Sequence, residues 1–202
     1  MEYCVTSNHV HLLVDAEDRM EVSAFMREVA GEFARACNRR KGRTNAFWGD
    51  NFHATLVEDG SYLWRCLCYI ELNMVREGVA SHPREWDWVG YHEIMGQRQR
   101  CRLLDLERLC WRLRTDDLGA LQQNLQGSLA EALAREEVRR EPCWTESLAL
   151  GSARFVEEVK PLILFRRETE IRKAEEGVWT LREMVAPYGE ETGPKSEPKA
   201  DR

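Results

Sequence analysis

The hydrophobic pattern in the first part of the chain changes period, and this constrains the fold more than any other feature. Across residues 3–14 apolar and polar residues alternate with β-branched content, which predicts a strand. Period two places His9, His11 and Leu13 on one side and Val10, Leu12 and Val14 on the other, and the second set reads as the core side. Across residues 22–40 the apolar residues Val22, Phe25, Met26, Val29, Phe33 and Cys37 recur at steps of three and four, the stripe of an amphipathic helix ended by Lys41 and Gly42. An aromatic loop with Phe47 and Trp48 follows, alternation returns over residues 52–58, and Asp59, Gly60 and Ser61 offer a turn and an N-cap. A second helix is predicted over residues 62–77, with Leu63, Leu67, Ile70 and Met74 as its buried stripe and Gly78 as its terminator. Strands and helices are thus both expected in this unit.

Past His82-Pro83, the Trp86, Trp88 and Tyr91 cluster reads as a segment packed back on this unit, which is taken to end near residue 95. From about residue 102 the chain turns leucine-rich, with helical segments over 103–113 and 118–139, little strand signal, and a short helix over 151–164 with Phe155, Val156 and Val159 on its apolar side. Residues 96–186 are therefore read as a helical C-terminal region, and 187–202 as a disordered tail too poor in apolar residues to fold alone.

With 202 residues, 43% of them hydrophobic, the chain can bury a real core. Its apolar runs fall far short of the roughly 20 residues a membrane helix needs, and the N-terminus has no basic segment followed by an apolar one, so a cytoplasmic protein is expected. Seven cysteines without a CxxC pair fit reduced thiols better than a zinc knuckle. A net charge of −6 excludes a protein that coats nucleic acid by bulk electrostatics. Residues 1–100 hold 12 Lys and Arg against 15 Asp and Glu, and the remainder 17 against 20, so both halves are equally acidic. One segment breaks this pattern: Arg35, Arg39, Arg40, Lys41 and Arg43 fall together with no acid among them. It reads either as a phosphate contact or as a solvated helix end whose cations favour the negative pole of the macrodipole.

Asn8-His9-Val10-His11 puts two imidazoles at alternate positions of a strand, where they point the same way and can chelate one divalent ion. Surface histidines on a strand are the plain alternative. Tyr69 and Asn73, four residues apart on the second helix, share a face, with Arg65 and Arg76 close to it. The first supplies a hydroxyl nucleophile and the second a carbonyl oxygen. Two nitrogens and an oxygen suit a divalent metal, Mg2+ or Mn2+, that polarises a phosphate while the tyrosine attacks in line. A helix tyrosine packed on the sheet is the competing reading. His53 is expected to be structural.

The segments NHVHLLV, FWGDNFHAT and CYIELNMVREGV, in this order and spacing, resemble the REP-associated tyrosine transposases and the wider group of single-tyrosine HUH insertion-sequence transposases. The resemblance covers residues 1 to about 95, and WTESLALGSARFVEEVK is similar to the C-terminal part of one subgroup. It implies an α+β fold with a ferredoxin-like antiparallel sheet flanked by helices, metal binding by His9, His11 and Asn73, and a 5′-phosphotyrosine on Tyr69. It also implies a single-stranded DNA hairpin as substrate. Backbone contacts are expected at Arg39, Arg40, Lys41, Arg43, Arg65 and Arg76, while Phe47 and Trp48 either stack on bases or belong to the core. Met74 stands where the family commonly has proline. The family also places a strand and a helix before the histidine strand, so the unit reads as lacking both, with a sheet edge or a core gap expected. The expected function is a DNA endonuclease and strand transferase, as monomer or homodimer, with Tyr69 acting in its own subunit or a partner's. The rivals are a catalytically inactive hairpin-binding protein or transposase remnant, and a small metal-dependent hydrolase using only the histidine pair.

Overall fold

In a computed structural model of the chain, residues 1–49, 51–98, 100–135, 138–163 and 168–184 are described, and the tail reading for 187–202 lies outside them. The fold is α+β. Its elements are β1 (Glu2–Val5), β2 (Val10–Leu13), α1 (Arg19–Lys41), β3 (Leu56–Val57), α2 (Ser61–Glu71), α3 (Asn73–Arg76), α4 (Tyr91–Ile94), α5 (Leu106–Leu113), α6 (Leu118–Ala134), β4 (Ala149–Gly151), α7 (Ala153–Val159), β5 (Thr169–Glu175) and β6 (Val178–Glu183).

The stretch expected to be a single strand over residues 3–14 is a hairpin instead. β1 and β2 pair antiparallel, Glu2 opposite Leu13 and Cys4 opposite His11, around a turn that Thr6 organises. The side-chain faces are also reversed. Leu13 is buried and Val14 exposed, because the face carrying Cys4, His11 and Leu13 is the one that α2 covers. The outer edge of β1 is closed by the segment after α3. Val5 N–H donates to Trp88 O at 2.8 Å, Gly90 N–H to Tyr3 O at 3.0 Å, and the Trp86 indole to Val5 O at 2.9 Å. This hydrogen bonding is how the tryptophan cluster packs back, and it leaves β1 no free edge on that side.

The second helix breaks at Leu72, giving α2 and α3 in place of one helix over 62–77. Its stripe is as expected, with Leu63, Leu67, Ile70 and Met74 all buried. Gly78, at φ 68°, ends α3 in the left-handed conformation. Ser61 lies inside the helix, and the cap is Gly60 without a side-chain bond. The strand expected over 52–58 shrinks to Leu56–Val57.

The C-terminal region is helical through α5, α6 and α7 but adds three strands to that reading. β3, β4, β6 and β5 form a second sheet in that order, parallel only between β3 and β4. Leu109, Leu121, Leu125 and Leu129 are fully buried in the same core as Cys4, Leu63, Leu67 and Val89. Asp15, just after β2, receives Arg112 at 2.7 Å and also Arg108, tying the hairpin to α5. Among the described residues no helix is long and apolar enough to cross a membrane.

α1 departs most from its sequence pattern. Asp18 caps it, accepting from Met20 and Glu21 N–H, and Gly42 closes it at φ 62°. Yet none of its residues is buried, and Phe25, Val29 and Phe33 of the apolar stripe are 44–48% exposed.

Candidate active site

Thr6 sets the position of His9. Its Oγ1 accepts the His9 N–H at 3.1 Å and donates to the His9 carbonyl at 2.8 Å. His9 Nδ1 lies 2.8 Å from Asn8 Oδ1, an acceptor only, so Nδ1 is the donor of this contact and Nε2 is the ring nitrogen left to face a ligand. His9 itself precedes β2, in the turn, while His11 lies on the strand. Their rings are 4.9 Å apart and perpendicular. His11 has no hydrogen-bond partner among the described residues. Burial, helped by His9 and the Arg76 cation, pushes its pKa down to about 4, so it is a neutral imidazole at physiological pH.

α2 brings Tyr69 to the same place. Its ring is edge-on to His11, with centroids 6.3 Å apart, and the residue is 7% exposed. Arg76 Cζ lies 3.8 Å from the ring centroid, and its Nη2 donates to the Tyr69 carbonyl at 3.1 Å. Burial raises the Tyr69 phenol pKa while the Arg76 charge pulls it down. Asn73, also buried, accepts from Cys4 Sγ at 3.9 Å, and Cys4 is the cross-strand neighbour of His11. His9, His11, Tyr69, Asn73 and Arg76 therefore gather from the hairpin turn, its second strand, α2 and α3.

The expected DNA contacts divide. Arg39, Arg40 and Lys41 form the last turn of α1, with Arg43 just beyond, all exposed and without ion pairs among the described residues. Arg35 is paired with Glu32 at 2.6 Å. Arg65 faces acids, Glu141 at 3.3 Å and Glu175. Phe33, Phe47 and Trp48 form a partly exposed aromatic cluster with centroids 4.9–5.6 Å apart, and the Trp48 indole donates to Ala30 O at 2.9 Å. His53 is structural, its Nε2 donating to Ser147 O at 2.9 Å.

Among the described residues no three His, Cys, Asp or Glu side chains are placed to hold a metal. The residues of this site that could hold a metal are the histidine pair and the Asn73 oxygen. Two imidazoles and a carboxamide fit a divalent ion in type, and His11 is already neutral to bind it.

Two features escaped the sequence reading. Trp144, from the C-terminal region, packs on Tyr69 with centroids 5.8 Å apart. Its only signal was its place in the WTESLALGS segment. Beneath the site Glu2 and Glu71 are both almost fully buried, and Glu2 Oε2 and both Glu71 oxygens lack a donor. A proton held between the carboxyls supplies the missing donor, and burial raises both pKa values. No pattern marks such a pair, because its members lie on different elements.

Residues 1–73 match the family model described as "Transposase IS200 like". No curated protein and no solved structure matches the chain.

Proposed function

We propose that the chain is a single-stranded DNA endonuclease and strand transferase of the IS200-like transposase family, whose model residues 1–73 match, acting at hairpin or palindromic repeats with Tyr69 as nucleophile. The observation that carries this reading is the convergence of a neutral His11, 6.3 Å from the Tyr69 ring, with Arg76 stacked on that ring. A helix tyrosine serving only as packing would not need an imidazole and a guanidinium around it.

In the proposed reaction Tyr69 Oη attacks the scissile phosphorus and the phenol proton leaves. The bond to the 3′ oxygen breaks, that oxygen takes up a proton, and the 5′ phosphate stays on Tyr69. Attack by a 3′ hydroxyl reverses these steps, frees the phenol and joins a new strand. His9, His11 and Asn73 would hold a divalent metal, Mg2+ or Mn2+, which when bound neutralises charge developing on the phosphate. Arg76 adds a fixed positive charge beside the phenol. Arg39, Arg40, Lys41 and Arg43, without ion pairs among the described residues, supply the backbone contacts. Arg65 contributes less, since its charge already faces Glu141 and Glu175. The protein would act in the cytoplasm, as monomer or homodimer.

The test is a denaturing gel of the chain incubated with hairpin-bearing single-stranded DNA and manganese. A covalent adduct confined to the unmutated chain, and lost in Tyr69→Phe and His9→Ala, is the expected result. DNA binding without adduct or cleavage would leave a hairpin-binding protein. Cleavage surviving Tyr69→Phe would leave a metal-dependent hydrolase.

A further inference from the structure

Tyr69 is gripped by more than its own helix. Arg76 holds it twice, with its guanidinium over the ring at 3.8 Å and a hydrogen bond to the Tyr69 carbonyl at 3.1 Å. Trp144 packs along the same ring, 5.8 Å between centroids and tilted by 33°. Trp144 is itself fixed. Its indole N–H donates to Glu141 Oε2 at 3.0 Å, the same carboxylate oxygen receives Arg65 at 3.3 Å, and the Arg65 guanidinium lies 5.9 Å from the Trp144 ring. A chain of contacts thus runs from Arg65 through Glu141 and Trp144 to Tyr69 and Arg76. It joins α2 and α3 to a segment that begins 76 residues after Arg65 in the chain.

The hydroxyl is treated differently from the ring. It makes no hydrogen bond among the described residues, so nothing in the fold aims it except the packing of the ring. A phenol turning freely about its side-chain torsions would meet the phosphate in line only a fraction of the time, and reaction rates respond steeply to such misplacement. We infer that Trp144 and Arg76 are positioning residues for Tyr69: they fix the ring so that its hydroxyl alone projects toward the DNA, and the C-terminal region thereby completes the site. This rests on reading Tyr69 as the nucleophile.

The test uses the full chain labelled with 3-fluorotyrosine. Its five tyrosines give five fluorine lines, and that of Tyr69 is the line absent from Tyr69→Phe. In Trp144→Ala and Arg76→Lys the Tyr69 line should move while the other four stay. The single-turnover rate of adduct formation at saturating hairpin DNA should fall about tenfold or more in both, with the DNA dissociation constant of Trp144→Ala changing less than about twofold. Trp144→Phe should restore most of the rate and return the line toward its original position. An unchanged rate and an unmoved Tyr69 line in both variants would overturn the inference. So would a loss of rate in which all five lines move and Trp144→Phe rescues nothing, because Trp144 would then serve the core alone. If the unmutated chain forms no adduct at all, the nucleophile reading fails instead, and the Tyr69 line alone decides whether the ring is held.

Discussion

Asn8 acts on the proposed metal through His9: its carboxamide oxygen, 2.8 Å from Nδ1, accepts the Nδ1 hydrogen bond and orients the ring with Nε2 toward the metal. Outer-shell partners of this kind typically carry about 10- to 100-fold in metal affinity. Asn8→Ala should therefore raise the manganese concentration for half-maximal adduct formation about tenfold, with the maximal rate recovered at high manganese, whereas His9→Ala should not recover. A metal titration of the adduct rate separates the two. The buried Glu2 and Glu71 pair makes a different prediction, for stability. An unfolded glutamate ionises near pH 4.3, while burial keeps these carboxyls protonated in the folded chain well above that. The contribution of the pair is thus full below about pH 4 and lost as the pH rises toward the folded values. Glu71→Gln needs no proton to stay neutral, so it should melt higher than the unmutated chain at pH 8, by roughly 1–3 kcal/mol of stability, and the gap should close near pH 4. His11 titrates in the opposite sense, lending stability above its ordinary 6.5 that is lost toward about 4. Both proteins carry it, so it cancels in the difference. A gap that does not grow with pH would show that the pair holds no proton in the folded chain.

α1 separates what a helix pattern says from what the fold does with it. Since its stripe is exposed, Phe25→Ser and Val29→Ser should each cost no more than about 0.5 kcal/mol in chemical denaturation, as surface substitutions do. A helix buried along that stripe would lose several times more. Its C-terminal turn should matter for DNA instead. Replacing Arg39 and Arg40 with Gln should lower the slope of log affinity against log salt by about 0.7 for each single-strand phosphate that the arginines neutralise, measured by fluorescence anisotropy. An unchanged slope would leave these cations as dipole partners only. The periodicity around residues 22–40 made the helix legible, because 3.6-residue recurrence follows from local geometry, but burial depends on what else approaches, and that is not local. The same limit explains the hairpin. Thr6 and Asn8 form a turn inside an otherwise unbroken alternation, so the sequence reads through it. The side-chain faces came out reversed because α2 and not residue type decides which is covered. The β3 and β4 pairing joins residues more than ninety positions apart through two-residue contacts, and no pattern within either segment announces it. By contrast the spacing of His9 with His11 and of Tyr69 with Asn73 is short enough to mark them as candidates in the sequence, although the fold places His9 in the turn before β2 and Asn73 on α3 rather than α2.

The resemblance to the transposases covers residues 1 to about 95, whereas one buried cluster takes in residues from both sides of that point. Leu109, Leu121, Leu125 and Leu129 are fully buried in one cluster with Leu63, Leu67 and Tyr69, and Trp144 joins it beside the proposed nucleophile. The Asp15 pairs with Arg108 and Arg112 reinforce the connection from the solvent side. Truncating Leu125 to Ala removes apolar packing at a fully buried position and should cost about 2–5 kcal/mol. With a continuous core, that loss should appear as a shift of the whole unfolding transition, with Tyr69 and the late strands melting together. A chain made of residues 1–95 exposes the underside of α2 that these leucines cover, and it lacks Trp144 against the tyrosine ring. It should show weak near-ultraviolet circular dichroism, no sharp melting, and no adduct with hairpin DNA. If that piece melts cooperatively and forms adduct at the rate of the full chain, the C-terminal region is an appendage, and neither the shared core nor the hold on Tyr69 is needed for the chemistry. If it does neither, while Leu125→Ala lowers the melting temperature of the full chain as one transition, the site and the later helices form a single folding unit whose active tyrosine depends on packing from both ends of the sequence.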